Sequence, residues 1–109
     1  MSASASLSTH VLDTHSGGPA VGLRVALHRL DGERPVRIAE HATDADGRVR
    51  ELGSQLAPGT YRLTFDVGAY FAERSGLFAA VSLDVVVHSG HQHVPLLVSP
   101  FACVAYRGT

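Results

Sequence analysis

Tyr61-Arg62-Leu63-Thr64-Phe65-Asp66-Val67 decides the fold class. Four large apolar residues stand at every second position, and a cation, a hydroxyl and a carboxylate stand between them. Successive side chains of a strand point to opposite faces, so this period of two marks a strand with one face in a core and one in water. The pattern recurs on both sides. Upstream, Val21, Leu23, Val25 and Leu27 alternate with Gly22, Arg24, Ala26 and His28, and Val36 to Thr43 returns after an Asp31-Gly32 turn. Downstream, Val81, Leu83, Val85 and Val87 repeat it before Ser89-Gly90. Shorter strand-like stretches lie at 7–12, 48–52, 92–98 and 101–106, with turn chemistry between them at 13–19, 44–47 and 57–59. Only 68–75 is expected to be helical, for about two turns. Seven or eight short strands at regular spacing predict an all-β fold, an antiparallel β-sandwich. Residues 1–6 are expected to form a flexible start, with one domain over 7–109.

Composition narrows the function. Hydrophobic residues make up 45% and charged residues 17% of the 109, which argues against disorder. A net charge of −1 gives no basic footprint for nucleic acid, and the absence of Trp leaves few stacking platforms. The lone Cys103 has no internal disulfide partner, which favours a reducing compartment. The start lacks the charged and apolar regions of a signal peptide, and no stretch is long enough to span a membrane. A cytoplasmic protein with no membrane partner is the expectation.

The segments at 7–12, 92–98 and 101–106 break the one-sided rule. Val94, Leu96 and Val98 form one face of theirs, but His91, His93, Pro95 and Leu97 form the other. A sheet with apolar residues on both faces needs two covers, and in so small a domain the second is expected to be another subunit. His10, His93 and the closing Tyr106-Arg107-Gly108-Thr109 all fall on these segments. Three histidines, His88, His91 and His93, could bind zinc or copper, but no Cys or carboxylate stands at ligand spacing. By residue type alone, His10 and His93 are ordinary strand histidines and Arg48 an ordinary turn residue. Cys103 reads as an apolar strand residue rather than a nucleophile, and there is no Gly-x-Ser-x-Gly elbow.

Five stretches, taken together, resemble one family. They are Leu7–Ala20 (LSTHVLDTHSGGPA), Thr43–Arg48 (TDADGR), Phe65–Phe71 (FDVGAYF), His91–Pro100 (HQHVPLLVSP) and the final YRGT. In this order they are similar to the transthyretin-related proteins that hydrolyse 5-hydroxyisourate in urate breakdown, and the likeness runs over nearly the whole chain. The final tetrapeptide separates these hydrolases from transthyretin itself. Two departures stand out: Thr109 replaces the family's usual Ser and keeps its hydroxyl, and Leu77-Phe78-Ala79 replaces the usual Phe-Phe-Pro.

The resemblance implies two four-stranded sheets with one short helix, in a homotetramer built as a dimer of dimers. It implies catalytic residues at His10, Arg48 and His93, a substrate-binding tail of Tyr106, Arg107, Gly108 and Thr109, and no cofactor or metal. A neutral imidazole can take a proton from water and return it to a leaving nitrogen. A guanidinium is always cationic and presents a planar fork of donors to a developing oxyanion. His93 is the expected base, with His10 orienting water or substrate or acting as proton donor. A chain ending at Thr109 would add its carboxylate to the pocket wall, where an appended tag would obstruct it. The rival within the fold is a non-catalytic carrier of a small ligand.

Overall fold

The computed structural model describes residues 4–32, 34–72 and 74–109. Among the described residues there are nine strands: β1 (Ala5–Asp13), β2 (Gly18–Pro19), β3 (Arg24–Asp31), β4 (Arg34–Ala42), β5 (Arg48–Leu56), β6 (Gly59–Phe65), β7 (Val81–Val87), β8 (Gly90–Val98) and β9 (Cys103–Ala105). One sheet runs β4-β3-β6-β7. The other runs β1-β8-β9, with β2 and β5 sharing the free edge of β1: β5 pairs with Ala5 to His10 and β2 with Leu12 and Asp13. Both sheets are therefore four strands wide, as expected of the sandwich.

The alternation read from the sequence is the burial seen in space. Tyr61, Leu63 and Phe65 are buried against Leu7, Val11, Val25, Leu27, Leu52 and Leu96. Tyr61 also satisfies its hydroxyl, which donates to Ala57 O at 2.6 Å and accepts from Arg29 at 2.7 Å. A buried phenol without such partners would lose part of what its ring gains.

Several boundaries differ from the sequence reading, each for a local reason. The first sheet strand of the upstream pair begins at Arg24, not Val21, because Gly22 turns the chain at φ +76° and leaves Val21 exposed. β1 begins at Ala5, so Ala5 and Ser6 of the expected flexible start pair with β8 and, for Ala5, with β5. Residues 1–3 lie outside the described residues. The helix α1 (Val67–Tyr70) is one turn rather than two and starts a residue earlier. Its cap is the Asp66 carboxylate, which accepts from the Ala69 N–H, and Val67 and Phe71 on one side of the turn enter the core. Part of the expected second turn, Glu73, is outside the described residues. The last strand shortens to β9 because the Ser99 hydroxyl accepts from Phe101 N and Ala102 N and folds 99–102 into a turn.

One pairing breaks the antiparallel rule. β1 and β8 run parallel over nine residue pairs, from Ala5↔Gly90 to Asp13↔Val98. A parallel pair needs a long crossover, and here the entire second sheet supplies it. This register sets Ser6 opposite His91, Ser8 opposite His93, and His10 opposite Pro95.

Candidate active site

The face of β1 and β8 turned away from the core carries the polar residues. Along β1 these are Ser6, Ser8 and His10, and along β8 they are His91 and His93. On the other side of β1, β5 sets Arg48 opposite His10. Arg48 enters β5 straight from the Asp44–Gly47 turn. The Asp44 carboxylate accepts from the backbone N–H of both Asp46 and Arg48 at 2.9 Å, and Gly47 supplies the left-handed φ of +76°. The Arg48 backbone N–H foremost holds Asp44 below the usual carboxylate range.

The chain after β9 folds back along β8. The Gly108 N–H donates to His93 O at 2.8 Å, and a bridge pairs the two residues. The result is a cavity of about 690 Å³ lined by Ser8, Thr9, Arg48, Arg50, His91, His93, Arg107, Gly108 and Thr109. Residues from four separate stretches of sequence meet there. Gly108 has no room for a side chain: a Cβ would collide with the His93 ring and lie 3.1 Å from Pro95.

Most of the sequence-derived candidates converge. Arg48, His93, Arg107, Gly108 and Thr109 all line this cavity. His10 does not line it; it is half-buried beside it and close enough for its charge to act on His93. Tyr106 turns to a second cavity, of about 460 Å³, bounded by β7, β8 and the tail. His93 and Arg107 border both cavities, so the tail divides its residues between two neighbouring pockets. The sequence reading misses Ser8, Thr9 and Arg50 as site residues and weighs His91 only as a metal ligand. Arg50 had a usable signal: two positions after Arg48 on a strand, it shares Arg48's face.

The electrostatics favour a neutral imidazole at His93. Burial lowers its pKa below 6.5, and the charges of Arg48, His10 and His91 lower it further. Among the described residues, Arg48 and Arg107 form no ion pair with a carboxylate, while Arg50 leans on Asp46 at 3.6 Å. A cavity bordered by three guanidiniums and by no Asp or Glu side chain suits a substrate rich in carbonyl oxygens or one that gains negative charge. Among the described residues, no group of three or more His, Cys, Asp or Glu is placed to hold a metal ion. No helix among them is long and apolar enough to cross a membrane.

Two four-wide sheets closed by one helical turn, with the polar cavity outside the core, define a transthyretin-like sandwich. The chain belongs to the HIUase/transthyretin family, whose model matches residues 7–108. It is 48% identical to the 5-hydroxyisourate hydrolase of Caulobacter vibrioides, over 94% of this chain and 97% of that protein. It is 44% identical to the 5-hydroxyisourate hydrolase of Deinococcus radiodurans over the full length of both. The structure of Klebsiella pneumoniae 5-hydroxyisourate hydrolase superposes with a TM-score of 0.87 at 37% identity, covering all of both chains. Sea bream transthyretin in complex with thyroxine superposes as well, at 0.89, but with 26% identity over 94% of each chain.

Proposed function

We propose that this protein hydrolyses 5-hydroxyisourate to 2-oxo-4-hydroxy-4-carboxy-5-ureidoimidazoline, a step of purine catabolism. The observation that carries this reading is the meeting of His93, Arg48 and the Arg107–Thr109 tail in one polar cavity. In the proposed reaction neutral His93 takes a proton from water, and the oxygen attacks the ring carbonyl carbon. Arg48 stabilises the oxyanion that forms. The C–N bond then breaks, and His93 returns its proton to the leaving nitrogen. His10 orients the water or the substrate from beside the cavity. Arg107, Gly108 and Thr109 shape the wall against the heterocycle, and Tyr106 supports the tail from its other side. The assembly is a homotetramer, a dimer of dimers, built on residues 7–109.

Ultraviolet decay of freshly made 5-hydroxyisourate, followed with and without protein, tests the reading. His93→Ala and Arg48→Ala should each lower turnover by at least about a hundredfold, as expected for loss of a base or an oxyanion donor. Near-normal rates in both variants would remove these roles. Addition of a chelator leaves the rate unchanged. The carrier reading has the thyroxine-bound transthyretin fold on its side. It sits badly with a cavity lined by imidazole and guanidinium groups, which are costly to desolvate against an apolar ligand. Ligand binding without faster decay would favour the carrier.

A further inference from the structure

We propose that Ser8, backed by His91, is the positioning residue that holds His93 in the tautomer whose Nε2 lone pair opens on the cavity. This rests on the hydrolase reading of that cavity. The parallel register sets hydroxyls and imidazoles side by side along one face. Ser8 Oγ lies 2.8 Å from His93 Nδ1 and 2.8 Å from His91 Nε2, and Ser6 Oγ lies 2.7 Å from His91 Nδ1. The four groups form one unbroken row, Ser6–His91–Ser8–His93. Ser8 is buried, with 6% of its surface exposed, while His91, next in the row, meets solvent.

Counting protons leaves two patterns for neutral rings. A hydroxyl has one proton, so Ser8 donates to one ring and must accept from the other. In the first pattern Ser8 donates to His93 Nδ1, which puts the ring's own proton on Nε2 and makes it useless as a base. In the second, His93 Nδ1–H donates to Ser8, Ser8 donates to His91 Nε2, and His91 Nδ1–H donates to Ser6. His93 Nε2, which has no protein partner among the described residues, then offers a lone pair. Arg48 borders the same cavity as His93, and a guanidinium there favours a ring nitrogen that offers a lone pair to the cavity over one that presents an N–H. The row also explains why the chain has two histidines in His91-Gln92-His93: the first takes the Ser8 proton, so that Ser8 can accept from the second. No proton travels the row during turnover. The one taken from water at Nε2 goes back to the leaving nitrogen from the same atom, and the Nδ1–H to Ser8 bond persists throughout.

Two measurements test this. Nitrogen-15 NMR of the ring nitrogens, at a pH where both imidazoles are neutral, should give the Nδ1–H tautomer for His93 in the unaltered protein. It should give a shift toward Nε2–H in Ser8→Ala. In the decay assay Ser8→Ala should lower kcat about ten- to a hundredfold, the range for removing the partner behind a working imidazole. KM should change little, and Ser8→Thr, which keeps the hydroxyl, should recover most of the rate. An Nε2–H tautomer in the unaltered protein overturns the inference whatever the variants do. So does a Ser8→Ala protein with unchanged kcat and ring shifts while His93→Ala is inactive, an outcome that leaves the hydrolase reading standing. If the unaltered protein fails to hasten decay, the hydrolase reading falls and the tautomer assignment is still decided by NMR.

Discussion

Gly108 and His93 are coupled by a contact one atom wide. The space a Cβ would need at Gly108 is filled by the His93 ring. Gly108→Ala should therefore tilt the imidazole off its hydrogen bond to Ser8, lowering kcat by about tenfold or more with little loss of stability. Turnover against a urea melt separates the two effects. The charge state of His93 makes a second prediction. Its pKa is lowered in the folded protein, so the neutral, active form persists to more acidic pH than a free histidine would allow. The acid limb of kcat/KM should have its midpoint below 6.5. The linked contribution to stability has the same sign: present above the unfolded histidine's pKa, it is lost as pH falls. Burial is the largest cause of this shift and Arg48 the next. Arg48→Gln should therefore move the limb back toward 6.5 even as it slows the reaction.

Single turns and single strands carry the geometry one level up. The Asp44–Gly47 turn aims Arg48, and at Gly47 a Cβ would lie 2.5 Å from Val11 O and 3.0 Å from Pro19 Cβ. With φ at +76° as well, Gly47→Ala should cost about 1–3 kcal/mol by denaturant unfolding and displace Arg48. The helical turn α1 is tied to β1 through Tyr70, whose hydroxyl donates to Asp13 at 2.9 Å. Burial, joined by the Asp13 carboxylate, pushes the Tyr70 hydroxyl up to about 12. Burial would also raise Asp13, but donors from Ser16, Tyr70 and His15 outweigh it and hold that carboxyl below 3.8. Tyr70→Phe should destabilise the fold by about 1–2 kcal/mol at neutral pH, and the deficit should shrink as pH falls and Asp13 protonates. At this scale the strands were readable because one face meets water: Tyr61, Leu63 and Phe65 announce themselves against Arg62 and Thr64. What escaped was set by single backbone angles and caps. Gly22 ends the apparent strand at Val21, and the Asp66 cap starts α1 earlier than side-chain periodicity suggests.

Across the whole molecule, the outermost strands β7 and β9 leave Val86 and Val104 more than half exposed, as is Tyr106 just after β9. Unpaired strand edges beside apolar side chains favour pairing with another copy, and light scattering should give the mass of a tetramer. Val104→Glu should yield smaller species. Much of the cavity could be anticipated from Arg48, His93 and the tail, since each sits in a stretch that resembles the family. Ser8 and His91 sit in such stretches too, but nothing in the sequence pairs them. Their partnership spans 83 residues of chain and exists only because β1 and β8 align in one register out of many. The same alignment governs when the protein can work. Strands formed by neighbouring segments can close early, but the catalytic surface waits for the two most distant ones to find each other. Loop-closure entropy makes such pairings slow, typically milliseconds to seconds. On refolding, catalytic competence should therefore be the last property regained, arriving with the final, slowest phase rather than with the bulk of the β-structure.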